Sequence, residues 1–135
     1  MFLVDTNVLL DLATDDPRWA DWSQHTLETA ALAGQLLINS IIYAEFSIGF
    51  SRIETVDAVL KTIGIAPVEI PRPALFLAGK AFATYRRRGG ASARVLPDFL
   101  IGAHAAVADL RLITRDIGRY RTYYPSLSLV TPADG

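Results

Sequence analysis

Five short aliphatic runs set the narrowest limits on how this chain can fold. Phe2–Val4, Leu36–Ile38, Val68–Ile70, Leu112–Thr114 and Leu127–Val130 are too short for helices and rich in Leu, Ile and Val, so they read as buried strands. Longer periodic stretches lie between them. Asp16-Pro17 starts a helix, as N-cap and first position, that Gly34 can end. Ser40 caps a helix reaching about Ser51, and another covers Ile53 to Ile63 before Gly64. Pro73 opens a helix to about Arg88, before Gly89-Gly90, and Pro97 opens one to about Ala108. Strands alternating with helices require right-handed crossovers, hence a parallel sheet between helical layers. In such folds the ligand crevice lies outside the carboxyl ends of the strands.

Composition narrows the class further. The chain has 135 residues, which fits a single domain spanning 1–135. A hydrophobic fraction of 51% and a mean hydropathy of +0.28 are high for so short a chain. Either both faces of a sheet are covered, or an apolar surface is kept for a partner. No apolar run approaches the roughly 20 residues of a membrane span, and no basic, then apolar, leader opens the chain, so the expected location is cytoplasmic with no membrane partner. The absence of cysteine excludes disulfides, thiolate metal sites and cysteine nucleophiles.

The net charge of −1 argues against attachment to nucleic acid by bulk charge alone. It conceals a segregation, however. Residues 1–69 hold ten acids and three bases, a balance of −7, whereas residues 70–135 hold ten bases and four acids, a balance of +6. Of the 13 basic residues 11 are arginine, the side chain suited to forked phosphate contacts, although a GC-rich genome favours arginine as well.

Several acids stand where apolar residues belong. Asp5 directly follows the first expected strand, and Asp116 follows a later one in LITRD, so both fall at the carboxyl edge of the sheet. Either one taken alone fits a helix cap. Glu45, in SIIYAEFSIGF, falls on the face built from Ile41, Ile42, Ile48 and Gly49, which follows the i, i+3, i+4, i+7 pattern of a stripe packed on the sheet. The alternative puts it at the stripe's edge, reaching solvent or an arginine. Asp98, in LPDFLIGAHA, lies in a first helical turn and shares a face with Ile101, Gly102 and Ala105, whose small residues admit close approach. Converging carboxylates repel and raise one another's pKa, and a divalent cation relieves this. All-oxygen donors select Mg²⁺ or Mn²⁺, and such ions at a phosphodiester support hydrolysis.

With these positions in place the chain resembles the PIN-domain nucleases, and most closely the VapC-type toxins of bacterial toxin–antitoxin pairs. The resemblance rests on VDTNVLLDL near the start, YAEF, a helical YRRRGG, PDFLIGAHA, and LITRD followed by RYRTYYP, and it covers nearly the whole chain. It implies a three-layer α/β/α sandwich with a mainly parallel sheet of four to five strands. It also implies that Asp5, Glu45, Asp98 and Asp116 line a Mg²⁺ or Mn²⁺ site for RNA cleavage, supported by Thr6, Asn7 and Thr114. Asp11 belongs to the DTNVLLD wording but faces away from the site by spacing. The resemblance further implies a homodimer, a small VapB-like antitoxin that blocks the site, a heterotetramer or larger assembly with it, and a structured RNA substrate such as tRNA.

Other features admit two readings. Arg86, Arg87, Arg88 and Arg94 surround Gly89-Gly90, either as a mobile basic loop for RNA phosphates or as a solvated helix end. Arg115 either binds phosphate or pairs with a neighbouring acid. His25 and His104 lack metal-like companions and fit structural or surface roles, and Trp19 and Trp22 fit the core or a partner surface. A phosphatase using Asp5 as nucleophile would need a second acid two residues on, where this chain has Asn7. A catalytically inactive PIN-like RNA- or protein-binding module would not need all four acids.

Overall fold

The computed structural model describes residues 1–132. The first strand, β1 (Phe2–Val4), is wholly buried and passes at once into α1 (Thr6–Ala13). Helix α2 (Ala20–Ala33) leads to β2 (Leu36–Ile38), which is followed by α3 (Ser40–Ser47) and α4 (Ile53–Ile63). Then come β3 (Ile65–Pro67), α5 (Arg72–Arg87), a 3-10 turn (Ala93–Val95), α6 (Leu96–Val107), β4 (Arg111–Ile113), α7 (Gly118–Tyr123) and β5 (Leu129–Val130). The strands form one sheet in the order β3-β2-β1-β4-β5 with every pair parallel, as the strand–helix alternation requires. Aliphatic side chains of all but the outermost strands are buried, as expected of a sheet covered on both faces.

From β1 the chain builds outward through β2 to β3, then returns to the other side of β1 with β4 and β5. The order therefore reverses between β1 and β4. At such a switch point the connections after neighbouring strands depart in opposite directions and leave a crevice at the carboxyl edge. Asp5 follows β1 at this place, and its backbone N–H donates to the Ile113 carbonyl of β4 at 2.9 Å.

Several boundaries depart from the pattern read in the sequence: α3 ends at Ser47 rather than about Ser51, and β4 and β5 are Arg111–Ile113 and Leu129–Val130 rather than Leu112–Thr114 and Leu127–Val130. The third strand is Ile65–Pro67 rather than Val68–Ile70. Gly64 ends α4 at φ 88°, a left-handed conformation that turns the chain directly into the sheet. Pro67 is accommodated in it because proline is tolerated at a sheet edge, and β3 is an edge. Only the Val68 N–H, donated to the Ile38 carbonyl at 2.8 Å, prolongs the pairing into the expected run. Helix α2 begins at Ala20, because Asp16 instead accepts the Arg18 and Trp19 N–H groups, each at 2.9 Å, and closes a separate turn. The cap of α3 is Asn39, not Ser40: its Oδ1 accepts the N–H groups of Ile41 and Ile42, both at 3.0 Å.

Asn39 is fully buried and has a second duty. Its Nδ2 lies 3.1 Å from Nδ1 of His104, which is also buried on α6. Burial holds the His104 pKa below its usual value, so a neutral ring accepts from the amide. His104 is thus structural, one of the two roles open to it. Asn39→Ala is expected to lower unfolding free energy by roughly 2 kcal/mol or more, from a lost cap and a buried ring nitrogen left without its donor. Urea denaturation at pH 7.5 checks this; an unchanged midpoint would refute the double role.

Candidate active site

The switch-point crevice is a cleft of about 340 Å³ lined by Asp5, Thr6, Asn7, Leu10, Glu45, Ile48, Asp98 and Asp116. Four acids from four different elements meet here. Asp5 ends β1 and caps α1, its Oδ1 accepting the Thr6 N–H at 2.7 Å. It forms the floor, only 4% exposed. Its other oxygen, Oδ2, receives the hydroxyls of Thr114 at 2.7 Å and Tyr120 at 3.0 Å, and the Asn7 amide at 3.3 Å. Burial outweighs these donors and, with Asp98 adding like charge, raises its pKa from 3.8 to about 6.

Thr114 joins the two strand ends. Its hydroxyl donates to Asp5 and accepts the Asp116 N–H at 3.0 Å, which turns the segment after β4 back toward β1. Asn7 bridges the same elements, donating to Thr114 at 3.3 Å and accepting the Arg115 N–H at 3.2 Å. Asp116 itself stands exposed at the rim.

Glu45 reaches the cleft by a different route from the one its spacing suggests. The buried stripe of α3 is Ile42 and Phe46, while Ile48 is 84% exposed and Gly49 is also at the surface. Glu45 sits at the edge of that stripe, half-buried. There it accepts neither an arginine nor solvent alone but the Thr6 hydroxyl, at 2.7 Å from Oε1. Asp98 is placed by α6, where Gly102 makes room as its small size suggested: a Cβ at that position would lie 2.5 Å from the Tyr124 ring. The helix therefore packs flush against the aromatic segment after β4. Among the described residues, no three His, Asp or Glu side chains are drawn close enough to hold an ion by themselves. The donor set is entirely oxygen, which fits Mg²⁺ or Mn²⁺, ions that keep several waters and use one or two carboxylates directly.

Two participants were not read from the sequence. Tyr120, on α7, is 1% exposed and donates its hydroxyl to Asp5; its own pKa is held well above the usual range by burial and the neighbouring Asp5. The aromatic richness of RYRTYYP was the available signal, but nothing local marks which tyrosine turns inward. Asp11 is not among the residues that line the cleft, and is the acid that Arg115 pairs with, at 2.7 Å from Nε and 2.9 Å from Nη2. Of the two readings open for Arg115 the geometry thus realises the ion pair. Arg86, Arg87, Arg88 and Arg94 lie exposed at and beyond the end of α5 and are not among the residues that line the cleft. Their loop is more firmly seated than its glycines suggested, since Gly90 packs on the Tyr85 ring and donates its N–H to the Tyr85 carbonyl at 3.0 Å.

A family model described as the PIN domain matches residues 2–123. A chain of VapBC2 from Rickettsia felis, bound to a DNA fragment from its promoter, superposes with a TM-score of 0.75 at 21% identity, over 96% of this chain and 97% of that one. A toxin–antitoxin complex from Klebsiella pneumoniae contains a chain 25% identical, with a TM-score of 0.69 and 98% of each chain covered. FitAcB from Neisseria gonorrhoeae gives 0.67 at 20% identity, over 98% of this chain and 99% of that one. A comparison with curated protein sequences gives no match.

The raised pKa of Asp5 carries a signed consequence for stability. Folded protein keeps this proton to about pH 6, whereas the unfolded chain releases it near 3.8. Stability from this group is therefore complete below 3.8 and lost as pH rises through about 6. At about 1.36 kcal/mol per unit the loss is on the order of 3 kcal/mol. In chelator, Asp5→Asn lacks this titration, so its stability relative to wild type is expected to rise by that order between pH 4 and 7.5. Parallel stability curves for the two proteins over that range would contradict the assignment.

Proposed function

Because the chain belongs to the PIN-domain family, a family of nucleases, we propose that it is a Mg²⁺- or Mn²⁺-dependent endoribonuclease, acting on structured RNA such as tRNA as the toxin of a toxin–antitoxin pair. The observation that carries this reading is the convergence of Asp5, Glu45, Asp98 and Asp116 on one switch-point cleft, with the innermost acid buried. Without a counter-charge such a group is costly, and the pKa of Asp5 registers that cost. A site built this way is poised for a cation.

What Mg²⁺ or Mn²⁺ supplies when bound is activation of water and neutralisation of phosphate charge. The chain supplies the rest. Asp5, with Oδ2 occupied by three donors, presents Oδ1 as the oxygen with spare capacity. Thr6 fixes the direction of Glu45, and Thr114 and Asn7 hold the Asp116 segment to β1. Asp98 and Asp116 border the opening. Arg86, Arg87, Arg88 and Arg94 hold the RNA backbone, their exposure and the +6 balance of residues 70–135 being the support.

The toxin role rests on likeness to chains from toxin–antitoxin complexes, above all the 25% identical one, and on apolar surface. A groove of about 700 Å³ between α1, α2 and α4 is lined by Leu12, Leu27, Val59 and Ile63. A second, of about 600 Å³, runs past Tyr43, Val68, Ile70 and Leu75, near Phe76, which is 68% exposed. We read these two apolar grooves as surface kept for a partner. A dimer mate and an antitoxin segment would cover it, and a cationic residue of the antitoxin entering the cleft would replace the ion's charge and exclude RNA. Among the described residues no helix is long and apolar enough to cross a membrane, consistent with a cytoplasmic site of action.

The purified protein is expected to cleave RNA with Mg²⁺ or Mn²⁺ and not with chelator, and Asp5→Asn or Asp98→Asn to abolish cleavage while remaining folded. Activity in either variant would overturn the site, and inactivity of metal-replete wild type across RNA classes would favour the binding-module reading. Changing the four arginines to Ala is expected to weaken RNA binding and flatten its salt dependence by roughly 0.7 to 0.9 in log-log slope per lost phosphate contact. An unchanged slope would leave them a solvated helix end. Expression alone should arrest growth, whereas the Asp5→Asn protein should be harmless. Normal growth with abundant folded wild type would remove the toxin role and leave the chemistry standing.

A further inference from the structure

The residue before Asp116 is tied to α1 at two points one helical turn apart. Asn7 accepts the backbone N–H of Arg115, and Asp11 accepts both Nε and Nη2 of its guanidinium. Spaced i, i+4, these two residues share a face of the helix. Asp11 is 2% exposed and also receives the Ser23 hydroxyl of α2 at 2.7 Å. The Trp19 ring packs against the same guanidinium, 5.1 Å from its carbon. Such a bidentate, ring-backed arrangement suits arginine and not lysine. Meanwhile residues 114–117 have no helical or strand structure of their own to fix them. Asp116, exposed at the rim, takes its position from its own N–H, donated to Thr114, and from the bonds of Arg115 before it.

We propose that Asp11 and Arg115 form a positioning latch, which holds Asp116 opposite Asp5 and so sets the affinity of the cleft for its divalent ion. The inference rests on the proposed ion site. It assigns Arg115 to the architecture of that site and takes it out of RNA binding. To reach a phosphate, the guanidinium would have to leave Asp11 as a buried carboxylate without its partner, which is strongly unfavourable. Asn7 then serves on both sides: its amide supports Asp5, and its carbonyl oxygen carries the backbone end of the latch.

The test uses full-length wild type, Asp11→Asn, Arg115→Lys and Asp116→Asn, with the combination of the last two. Arg115→Lys keeps a compensating charge on Asp11, so it stands in should Asp11→Asn fail to fold. Mn²⁺ affinity is measured by calorimetry without RNA, and RNA affinity against salt is measured in chelator. Asp11→Asn and Arg115→Lys are each expected to weaken Mn²⁺ binding by roughly 10- to 100-fold, as loss of a ligand's supporting partner commonly does. In the Asp116→Asn background, Arg115→Lys should cost little more, because it acts through Asp116. RNA binding in chelator should not change. Unchanged Mn²⁺ affinity in folded variants would reduce the pair to a structural bridge and overturn the latch, leaving the ion site intact. So would weaker RNA binding with a flatter salt slope in Arg115→Lys alone. Wild type that binds no Mn²⁺ would remove the ion site itself, and the latch with it.

Discussion

A carboxylate buried at the end of the central strand is the constraint around which the molecule is arranged. Asp5 cannot be moved outward, because it is both the last step of β1 and the cap of α1. It therefore has to be satisfied where it stands, and four donors from three parts of the chain are brought to it: Thr6 and Asn7 of α1, Thr114 after β4, and Tyr120 of α7. Those donors in turn dictate neighbouring structure. Thr114 must end β4 beside β1, and α7 must fold back over the sheet to deliver Tyr120. Even so the donors do not outweigh desolvation, and the acid retains its proton to about pH 6. A protein needing only a helix cap would gain from an exposed Asp at less cost. That cost of burial is the observation on which the proposed cation site rests.

The sheet order decides what surrounds this acid. Reversal between β1 and β4 opens the crevice, and the helices on either side each contribute one acid to its wall: α3 gives Glu45 and α6 gives Asp98. Of the four acids only Asp116 lies within a run of several residues, 114–117, that has neither helix nor strand. That exception explains the density of bonds around residues 114–116, where hydroxyl, amide and guanidinium all tie an irregular segment to α1. The aromatic cluster of Phe82, Tyr85, Phe99 and Tyr123 does a comparable task on the other side, joining the basic end of α5 to the helix that carries Asp98. The exposed arginines at the end of α5 and the helix carrying Asp98 thus share one packed aromatic support.

Much of this was legible in the residues alone. Four of the five strands, the parallel sheet and the placement of Asp5 and Asp116 at its carboxyl edge follow from run length and from which residues follow each run. Asp98 was legible because the small face it shares, Gly102 and Ala105, demands close packing. Glu45 was found for a reason that proved inexact: the stripe that buries α3 is narrower than the periodicity implied, and Glu45 lies at its margin. The third strand lies three residues before the aliphatic run that marked it, because Gly64 turns the chain straight into the sheet and Pro67 is tolerated at its edge.

The sequence by itself determined the kind of each element, the edge at which the acids would gather and the oxygen-only character of their donors. These are near-neighbour properties: strand length, capping and helical spacing depend on residues a few positions apart. Tertiary structure alone decided the partners. Tyr120 reaches Asp5 across 115 positions, and Arg115 reaches Asp11 across 104. Which of several tyrosines turns inward, and whether an arginine meets a carboxylate or remains available to a phosphate, depends on strand register and on how helices seat against one another. Those quantities are fixed by packing over the whole chain, and no local spacing records them.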